Sequence, residues 1–281
     1  MIYYHKGGRK VVKLLVVDLD GTLLDNKKHI KDVDKRAIMK AMERGVKVSI
    51  FTGRNYYSAK KYLEELGLDV PVVFQNGALI MDFKSRKVLR MVALDGNLAR
   101  EAVVRSRNYG VFYIVYKDFL SDKDMLLDSD YNGPYSYYLE NNSWRILKVE
   151  DVLEYVEGEV AEVALIGEEK LIKKVTSFVN SSDASVIKST SLSGHSFYEI
   201  FGPDVSKAKA LEFLLSTFGV DRSEVMFIGD GYNDLEIMEV VGIGVAMGNA
   251  PDDVKERASF VTLSNEEGGV AHAINRFILE K

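Results

Sequence analysis

Cysteine is missing from this 281-residue chain, which excludes disulfides and thiolate metal sites. Histidine is scarce: the four residues His5, His29, His195 and His272 are scattered and form no H-x-x-x-H pair. A bound metal must then be held mainly by oxygen, which points to a hard cation such as Mg2+ rather than Zn2+. Basic residues are not in excess: 37 Lys and Arg stand against 42 Asp and Glu, a formal charge of -5. Nothing here offers the basic face that nucleic acid demands. No apolar run reaches membrane-spanning length. Residues Met1 to Lys10 are polar and basic and Val11 to Val17 are apolar, loosely mimicking a signal peptide. Lys13 interrupts that run, Asp18-Leu19-Asp20 ends it, and no small-residue cleavage site follows. Met1 to Lys10 therefore reads as an extension ahead of a buried strand, and the expected location is the cytoplasm, with the sequons at Asn141 and Asn180 chance matches. Gln75 is the only Gln, and scarce Gln and Cys beside abundant Lys and Glu is a bias met in thermophile proteins.

What remains is an ordinary globular composition, 47% hydrophobic and 28% charged, on a chain long enough for two domains. The first stretch alternates strand and helix signals. Val11 to Val17 reads as a strand. Lys31 to Arg44 places Val33, Ala37, Ile38, Ala41 and Met42 at helical spacing before Gly45. Val46 to Phe51, Tyr56 to Leu66 and Val72 to Phe74 continue the pattern as strand, helix and strand. Such alternation predicts a parallel sheet with helices on its faces. It returns near the C-terminus, with helices over 206–218, 234–241, 250–258 and 267–279 and strands over 225–228, 243–246 and 260–263. The middle differs. Short strands (111–116, 160–166, 185–188, 197–200) lie between helical pieces (97–109, 168–180), and Tyr131, Tyr135, Tyr137 and Tyr138 crowd together. The expected organisation is an α/β core of residues 1–82 and 201–281 interrupted by an α+β domain over 83–200, with linkers at Asp82-Phe83 and Gly202-Pro203.

Four segments carry candidate chemistry. Asp18-Leu19-Asp20-Gly21-Thr22 follows the first strand directly. Residues two apart on a strand point the same way, so Asp18 and Asp20 can both face the crevice at the carboxyl edge, where open α/β sheets bind ligands. The ordinary reading is a solvated acidic turn. At Phe51-Thr52-Gly53-Arg54, Thr52 offers a hydroxyl, Gly53 frees backbone N–H groups and Arg54 adds a fixed positive charge suited to an anion. The ordinary reading there is a helix-capping Thr52. Lys207 opens the helix after Gly202-Pro203-Asp204-Val205-Ser206, where a lone Lys is ordinarily solvent-facing and disfavoured by the helix dipole unless an anion faces it. Asp230 stands between Gly229 and Gly231 at a strand tip, and Asn233 and Asp234 open the next helix, a pattern that could equally be a cap. Taken together, Asp18, Thr52, Lys207 and Asp230 all fall at strand ends or helix starts of one predicted sheet. Asp18, Asp20, Asp230 and Asp234 crowded there would repel a phosphate. Mg2+ plus Lys207 supplies three positive charges, which makes a phosphate dianion tolerable.

In that order the four segments resemble the motifs of the haloacid dehalogenase (HAD) superfamily. Val245-Ala246-Met247-Gly248-Asn249-Ala250 and Asn76-Gly77-Ala78 are similar to its Cof-like subfamily. The departure is Ser206-Lys207-Ala208 where the family often has Ser-Lys-Gly. The resemblance implies a Rossmann-like parallel-sheet core with an inserted α+β cap that selects the substrate. It implies a Mg2+-dependent phosphatase of small phosphorylated metabolites, sugar phosphates or similar, a monomer or homodimer needing neither nucleic acid nor membrane. Asp18 would be the nucleophile that forms an aspartyl-phosphate, and Asp20 the acid and then the base. Asp18, the backbone carbonyl of Asp20 and Asp230 would hold the metal, with Asn233 and Asp234 acting behind them or through water. Thr52 and Lys207 would hold the phosphoryl oxygens, with Gly53, Arg54, Asn76 and Asn249 lining the crevice. His195, Tyr198 and the Tyr131 to Tyr138 run are candidate substrate contacts whose plainer reading is cap packing. A phosphomutase, a non-catalytic phosphate-binding regulatory module and a metal-dependent glycosyltransferase are alternatives. The large insert, the intact acidic residues and the three other motifs argue against them in turn. The glycine run Gly242-x-Gly244-x-x-x-Gly248 lies along a strand, not from strand to helix, and does not make a dinucleotide site.

Overall fold

Runs such as Leu14–Val17 and Val225–Gly229 are apolar at every position, the signature of parallel strands covered on both faces. The computed structural model describes residues 11–280. The expected extension Met1 to Lys10 lies outside the described residues, and among the described residues no helix is long and apolar enough to cross a membrane. The chain has the α/β class expected of it and packs as two compact units. It passes from one to the other at Ile50/Phe51, Glu212/Phe213, Asp230/Gly231 and Glu236/Ile237.

The unit holding both ends of the described chain contains a five-stranded, all-parallel sheet. Its strands are β1 (Leu14–Val17), β2 (Lys47–Ile50), β3 (Val225–Gly229), β4 (Ile243–Ala246) and β5 (Phe260–Val261). Their order is β5-β4-β3-β1-β2. Val17 lies opposite both Ile228 and Ile50, so β1, β2 and β3 run out in step. Asp18 extends the ladder, its N–H donating to Ile228 O at 3.0 Å. The helix Asp32–Glu43 buries Asp34, Ala37, Ile38 and Ala41, spaced 3, 1 and 3 residues apart, and packs on the helix Gly269–Ile274. That last helix begins two residues later than its periodicity predicts. Ser264 Oγ donates to Glu267 Oε2 at 2.6 Å and Gly268 takes φ 76°, so a side-chain turn occupies those positions.

The other unit, residues 51–212 and 231–236, contains an antiparallel meander, a mixed six-stranded sheet in which Met125–Leu127 and Ile146–Lys148 run parallel, and the short antiparallel pair Leu94–Asp95 with Glu159–Val160. Pro71–Phe74, Leu79–Asp82 and Lys87–Met91 form a meander. The sequence pattern predicts Val72 to Phe74 as a third parallel strand, and the structure has a strand over Pro71–Phe74. Its parallel pairing is the single bridge Phe51 to Val73, and its ladder is the antiparallel one with Leu79–Asp82. A six-stranded sheet follows, in the order Ser185–Leu192, His195–Phe201, Glu162–Gly167, Phe112–Tyr116, Met125–Leu127, Ile146–Lys148. Its two faces differ. Val115, Val163, Leu165 and Ile200 pack against Ala99, Ala102, Val103, Ile172 and Val175 of the helices Gly96–Tyr109 and Glu169–Thr176. Burial of each such Val or Leu contributes about 1.5–3 kcal/mol. The alternate residues Tyr116, Glu162, Ala164, Phe197 and Glu199 stand on the opposite face. Tyr198 packs into the helix-covered core, and Tyr135 and Tyr138 set their rings edge-on against Phe197.

Candidate active site

The turn after β1 is built around one steric fact. Gly21 has φ 76°, and a Cβ there would lie 2.2 Å from Asp230 Oδ2, so only glycine lets the two loops meet. Thr22 Oγ1 donates to Asp230 Oδ1 at 2.7 Å and orients that carboxylate. Asn249 Nδ2 donates to Gly21 O at 2.8 Å, while Asn249 Oδ1 accepts from Asn265 N–H at 2.9 Å. The loop after β4 thus braces the loop after β1. Asp18 is buried, whereas the Asp20 carboxylate is partly exposed and pairs with Lys28 Nζ at 2.7 Å. Asp18 and Asp230 each present a carboxylate oxygen, and these atoms lie within 4.8 Å of one another. Two like charges at that range repel by roughly 3 kcal/mol at an effective dielectric constant of about 20. A hard divalent cation relieves that repulsion and fits an all-oxygen donor set, so the residues present suit Mg2+.

The residues of the other unit form their own ordered group. Thr52 is buried, and its Oγ1 accepts from Arg54 N–H at 3.0 Å. Two backbone bonds, Gln75 N–H to Arg54 O and Asn76 N–H to Thr52 O, both 3.0 Å, lock this turn to the turn after Pro71–Phe74. The cap of the helix Tyr56–Leu66 is Asn55, not Thr52: its side chain accepts from Ser58 N–H. Arg54 turns back along that helix, donating through Nη1 to Ser58 O at 3.1 Å and lying over the Tyr62 ring. Gly53 faces the Asn76 side chain.

Lys207 departs from the ordinary behaviour of a lysine at a helix start. Only 1% of it is exposed, and its Nζ donates to Asp234 Oδ1 at 2.6 Å. Asp234 Oδ2 in turn accepts from Gly231 N–H at 2.9 Å, so the carboxylate is held at both oxygens. Gly77 takes φ 112°, and a Cβ there would sit 2.6 Å from Ser206 O, just before Lys207, so both the backbone angle and the close approach require glycine. Asn233 Nδ2 donates to Asn76 Oδ1 at 2.7 Å.

Several polar residues that sequence reading did not single out are buried close by. Asn76 Nδ2 donates to Glu199 Oε2 at 2.9 Å, and Gln75 Nε2 to Glu162 Oε2 at 3.3 Å. Burial pushes the Glu199 carboxyl up to about 7, and burial together with Glu199 holds Glu162 well above the ordinary range. Asp124 takes a bidentate pair from Arg145 at 2.9 and 2.8 Å and a further bond from Asn55 Nδ2 at 3.0 Å. The legible signal was a single charge inside an apolar strand, Glu162 in Val160–Ile166 and Glu199 in Phe197–Phe201. His195, by contrast, lies with Arg107, Tyr113, Asp128 and Tyr131 along a separate cavity of about 750 Å3 at one end of the six-stranded sheet.

A family model for haloacid dehalogenase-like hydrolases matches residues 15–274. The 5-amino-6-(5-phospho-D-ribitylamino)uracil phosphatase YitU of Bacillus subtilis is 30% identical over 267 residues, covering 94% of this chain and 97% of its own. The pyridoxal phosphate phosphatase YbhA of Escherichia coli is 25% identical over 275 residues, covering 93% and 97%. A solved HAD-superfamily phosphatase from Bacteroides thetaiotaomicron superimposes with a TM-score of 0.81 at 26% identity, covering 98% of each chain. The match runs through both acidic turns and the whole intervening insert: this chain belongs to the haloacid dehalogenase-like hydrolases, in their Cof-like branch, and is an enzyme.

Proposed function

We propose that this hydrolase releases phosphate from phosphomonoesters of small metabolites, with Asp18 as a covalent nucleophile. The observation that carries the reading is the Asp18–Asp230 pair at the carboxyl edge of the parallel sheet, oriented by Thr22 and approached through Gly21. An Asp18 oxygen attacks phosphorus, the bond to the leaving alcohol breaks, and Asp20 donates a proton to the departing oxygen. Asp20 then accepts a proton from a water that attacks the aspartyl-phosphate, the bond to Asp18 breaks, and phosphate leaves. Thr52 and Lys207 hold the phosphoryl oxygens. Gly53, Arg54, Asn76 and Asn249 border the same place, and Asn233 and Asp234 position the groups around them. Asp234 supports this by fixing Lys207, whose ammonium offsets charge that builds on the phosphoryl group. Mg2+ would be held by the side chains of Asp18 and Asp230 and the backbone carbonyl of Asp20, and when bound it neutralises phosphate charge.

Residues 83–200, which carry most of the six-stranded sheet, act as the cap that selects the leaving group, against a core of 1–82 and 201–281. The relatives' named substrates differ, a ribitylaminouracil phosphate and pyridoxal phosphate, which fits a separate part of the chain selecting the leaving group. The proposed location is the cytoplasm.

The test is phosphate release from sugar phosphates, nucleotides, cofactor phosphates and p-nitrophenyl phosphate, with Mg2+ and with chelator. Asp18→Asn should lose turnover while its melting profile stays close to that of the parent. Residual activity above a few per cent in that variant would exclude the covalent route. Asp20→Asn should slow turnover by about 100-fold or more, the scale of general acid–base catalysis, and an unchanged rate would remove Asp20 from its role.

A further inference from the structure

Asn76 stands where three segments meet, and one of its bonds leads to a side chain that the steps above do not use. It is buried, and at φ 54° it takes a left-handed backbone conformation that Asn adopts more readily than most residues. Its backbone N–H donates to Thr52 O at 3.0 Å. Its side-chain Oδ1 accepts from Asn233 Nδ2 at 2.7 Å, and its Nδ2 donates to Glu199 Oε2 at 2.9 Å. Asp234, the residue after Asn233, holds Lys207 Nζ at 2.6 Å and Gly231 N–H at 2.9 Å. One amide therefore joins the turn of Thr52, the loop that holds Lys207 and the strand His195–Phe201. All these residues lie within the unit of residues 51–212 and 231–236.

An amide has a donor end and an acceptor end, and half a rotation exchanges them. Glu199 chooses between the two orientations. Its Oε2 accepts, so the NH2 of Asn76 must face it and the oxygen is left for Asn233. Asn233 then presents its own NH2 to Asn76, and its Oδ1 turns toward Gly231, where an added Cβ would lie 2.4 Å from that oxygen. With the Asn76 amide reversed, two NH2 groups would meet and the bond to Asn233 would be lost.

Glu199 is itself fixed. It is 6% exposed, and the hydroxyl of Ser189, at the bulge between Lys188 and Thr190, donates to the same Oε2. Burial raises the Glu199 carboxyl to about 7. Both donors converge on Oε2, so a proton bound by the carboxyl belongs on Oε1. Oε2 is an acceptor in either state, and the direction of the chain does not depend on ionisation.

We infer that Glu199 is a positioning residue for phosphoryl transfer: as a fixed acceptor it sets the direction of the Asn76 amide, and through Asn76 it holds the Thr52 turn and the Asn233–Asp234 loop, and so Lys207, ready for phosphate. It acts without touching the substrate. This rests on the phosphatase reading above, which assigns Thr52 and Lys207 to the phosphoryl oxygens.

The test measures kcat/KM on p-nitrophenyl phosphate and the inhibition constant of inorganic phosphate, with circular dichroism to verify folding. Glu199→Gln keeps an oxygen for Asn76 and should lose at most threefold in kcat/KM. Glu199→Leu offers no acceptor, and should lose at least tenfold and weaken phosphate inhibition at least fivefold. Asn76→Asp sets two acidic groups against each other and should lose at least thirtyfold. Combining Asn76→Asp with Glu199→Gln exchanges their roles: the new amide donates to the new carboxylate, which still accepts from Asn233. That double variant should recover at least tenfold over Asn76→Asp. A purely structural defect lowers the folded fraction, and hence kcat, without moving the phosphate inhibition constant; that result for Glu199→Leu overturns the inference. So does Glu199→Gln as damaging as Glu199→Leu. If Glu199→Leu does not fold, the double variant decides, because it keeps a polar group at both positions; one no more active than Asn76→Asp, folded or not, overturns the inference. A wild type that releases no phosphate from p-nitrophenyl phosphate or sugar phosphates fails the phosphatase reading itself, a different outcome from an active enzyme indifferent to Glu199→Leu.

Discussion

Asp34 is a buried acid far in sequence from the candidate chemistry, and its ionisation can be measured through stability. It sits on the inner side of the helix Asp32–Glu43 and is 1% exposed. Its Oδ1 accepts from Ala271 N–H at 2.7 Å, in the first turn of the helix Gly269–Ile274, while its Oδ2 is buried without a partner. Burial raises its carboxyl from 3.8 to about 6 despite the Ala271 bond, which favours the charged form. Between these values the folded chain binds more protons at this site than the unfolded chain, so stability is lost as pH rises through them. At about 1.4 kcal/mol per pKa unit, the loss approaches ~3 kcal/mol well above pH 6, of which ~2 kcal/mol falls between roughly pH 4.5 and 8. Asp34→Asn keeps an acceptor for Ala271 and removes the ionisation. Any fixed penalty from its buried NH2 is the same at every pH. The stability difference between variant and parent should therefore shift in the variant's favour by ~2 kcal/mol from about pH 4.5 to 8. Urea unfolding followed by circular dichroism at several pH values measures it. A difference that stays constant with pH would refute the assignment of a raised, buried carboxyl at Asp34.

The other expectations are more local. Lys207→Met leaves Asp234 buried without its ammonium partner and should cost about 3–5 kcal/mol along with turnover, whereas Lys207→Met with Asp234→Asn should recover much of the stability and none of the activity. Denaturation of the three variants decides it, and a double variant no more stable than Lys207→Met counts against the pair. Gly21→Ala forces a Cβ to 2.2 Å from Asp230 Oδ2, so the two acidic loops must part. The expected result is at least a tenfold rise in the Mg2+ concentration needed for half-maximal activity, and an unchanged requirement would mean that Gly21 does not position Asp230. Removing metal with chelator should abolish phosphate release and added Mg2+ restore it, because Asp18 and Asp230 otherwise repel each other; activity that survives chelation would contradict the oxygen-ligand reading.

Much of the architecture was legible because it depends on short-range pattern. The apolar runs Leu14–Val17 and Val225–Gly229, the periodicity of Asp32–Glu43 and the acidic turns after each strand reflect constraints along a few residues. The antiparallel partner of Pro71–Phe74 was not legible. An apolar strand carries no mark of its pairing direction, and only the return of the chain at Leu79–Asp82 supplies one. The helix expected to run to Asn180 ends at Thr176, where Thr176 and Ser177 hydroxyls bond back to Ile172 O and Lys174 O, a competition periodicity does not register.

The sequence alone determined the absence of thiolate chemistry, the α/β class and the positions of Asp18, Asp20, Thr52, Lys207 and Asp230, since strand ends and turn residues are local properties. Tertiary structure decided what those residues touch. It buried Lys207 against Asp234, gave the capping role to Asn55 instead of Thr52, turned Arg54 back along its helix, and left Gln75 with an unanswered acceptor beside two acidic side chains. Glu162 and Glu199 are 37 positions apart in sequence. Their proximity is set by the register of one antiparallel strand pair, and the burial that perturbs them by everything packed around that pair.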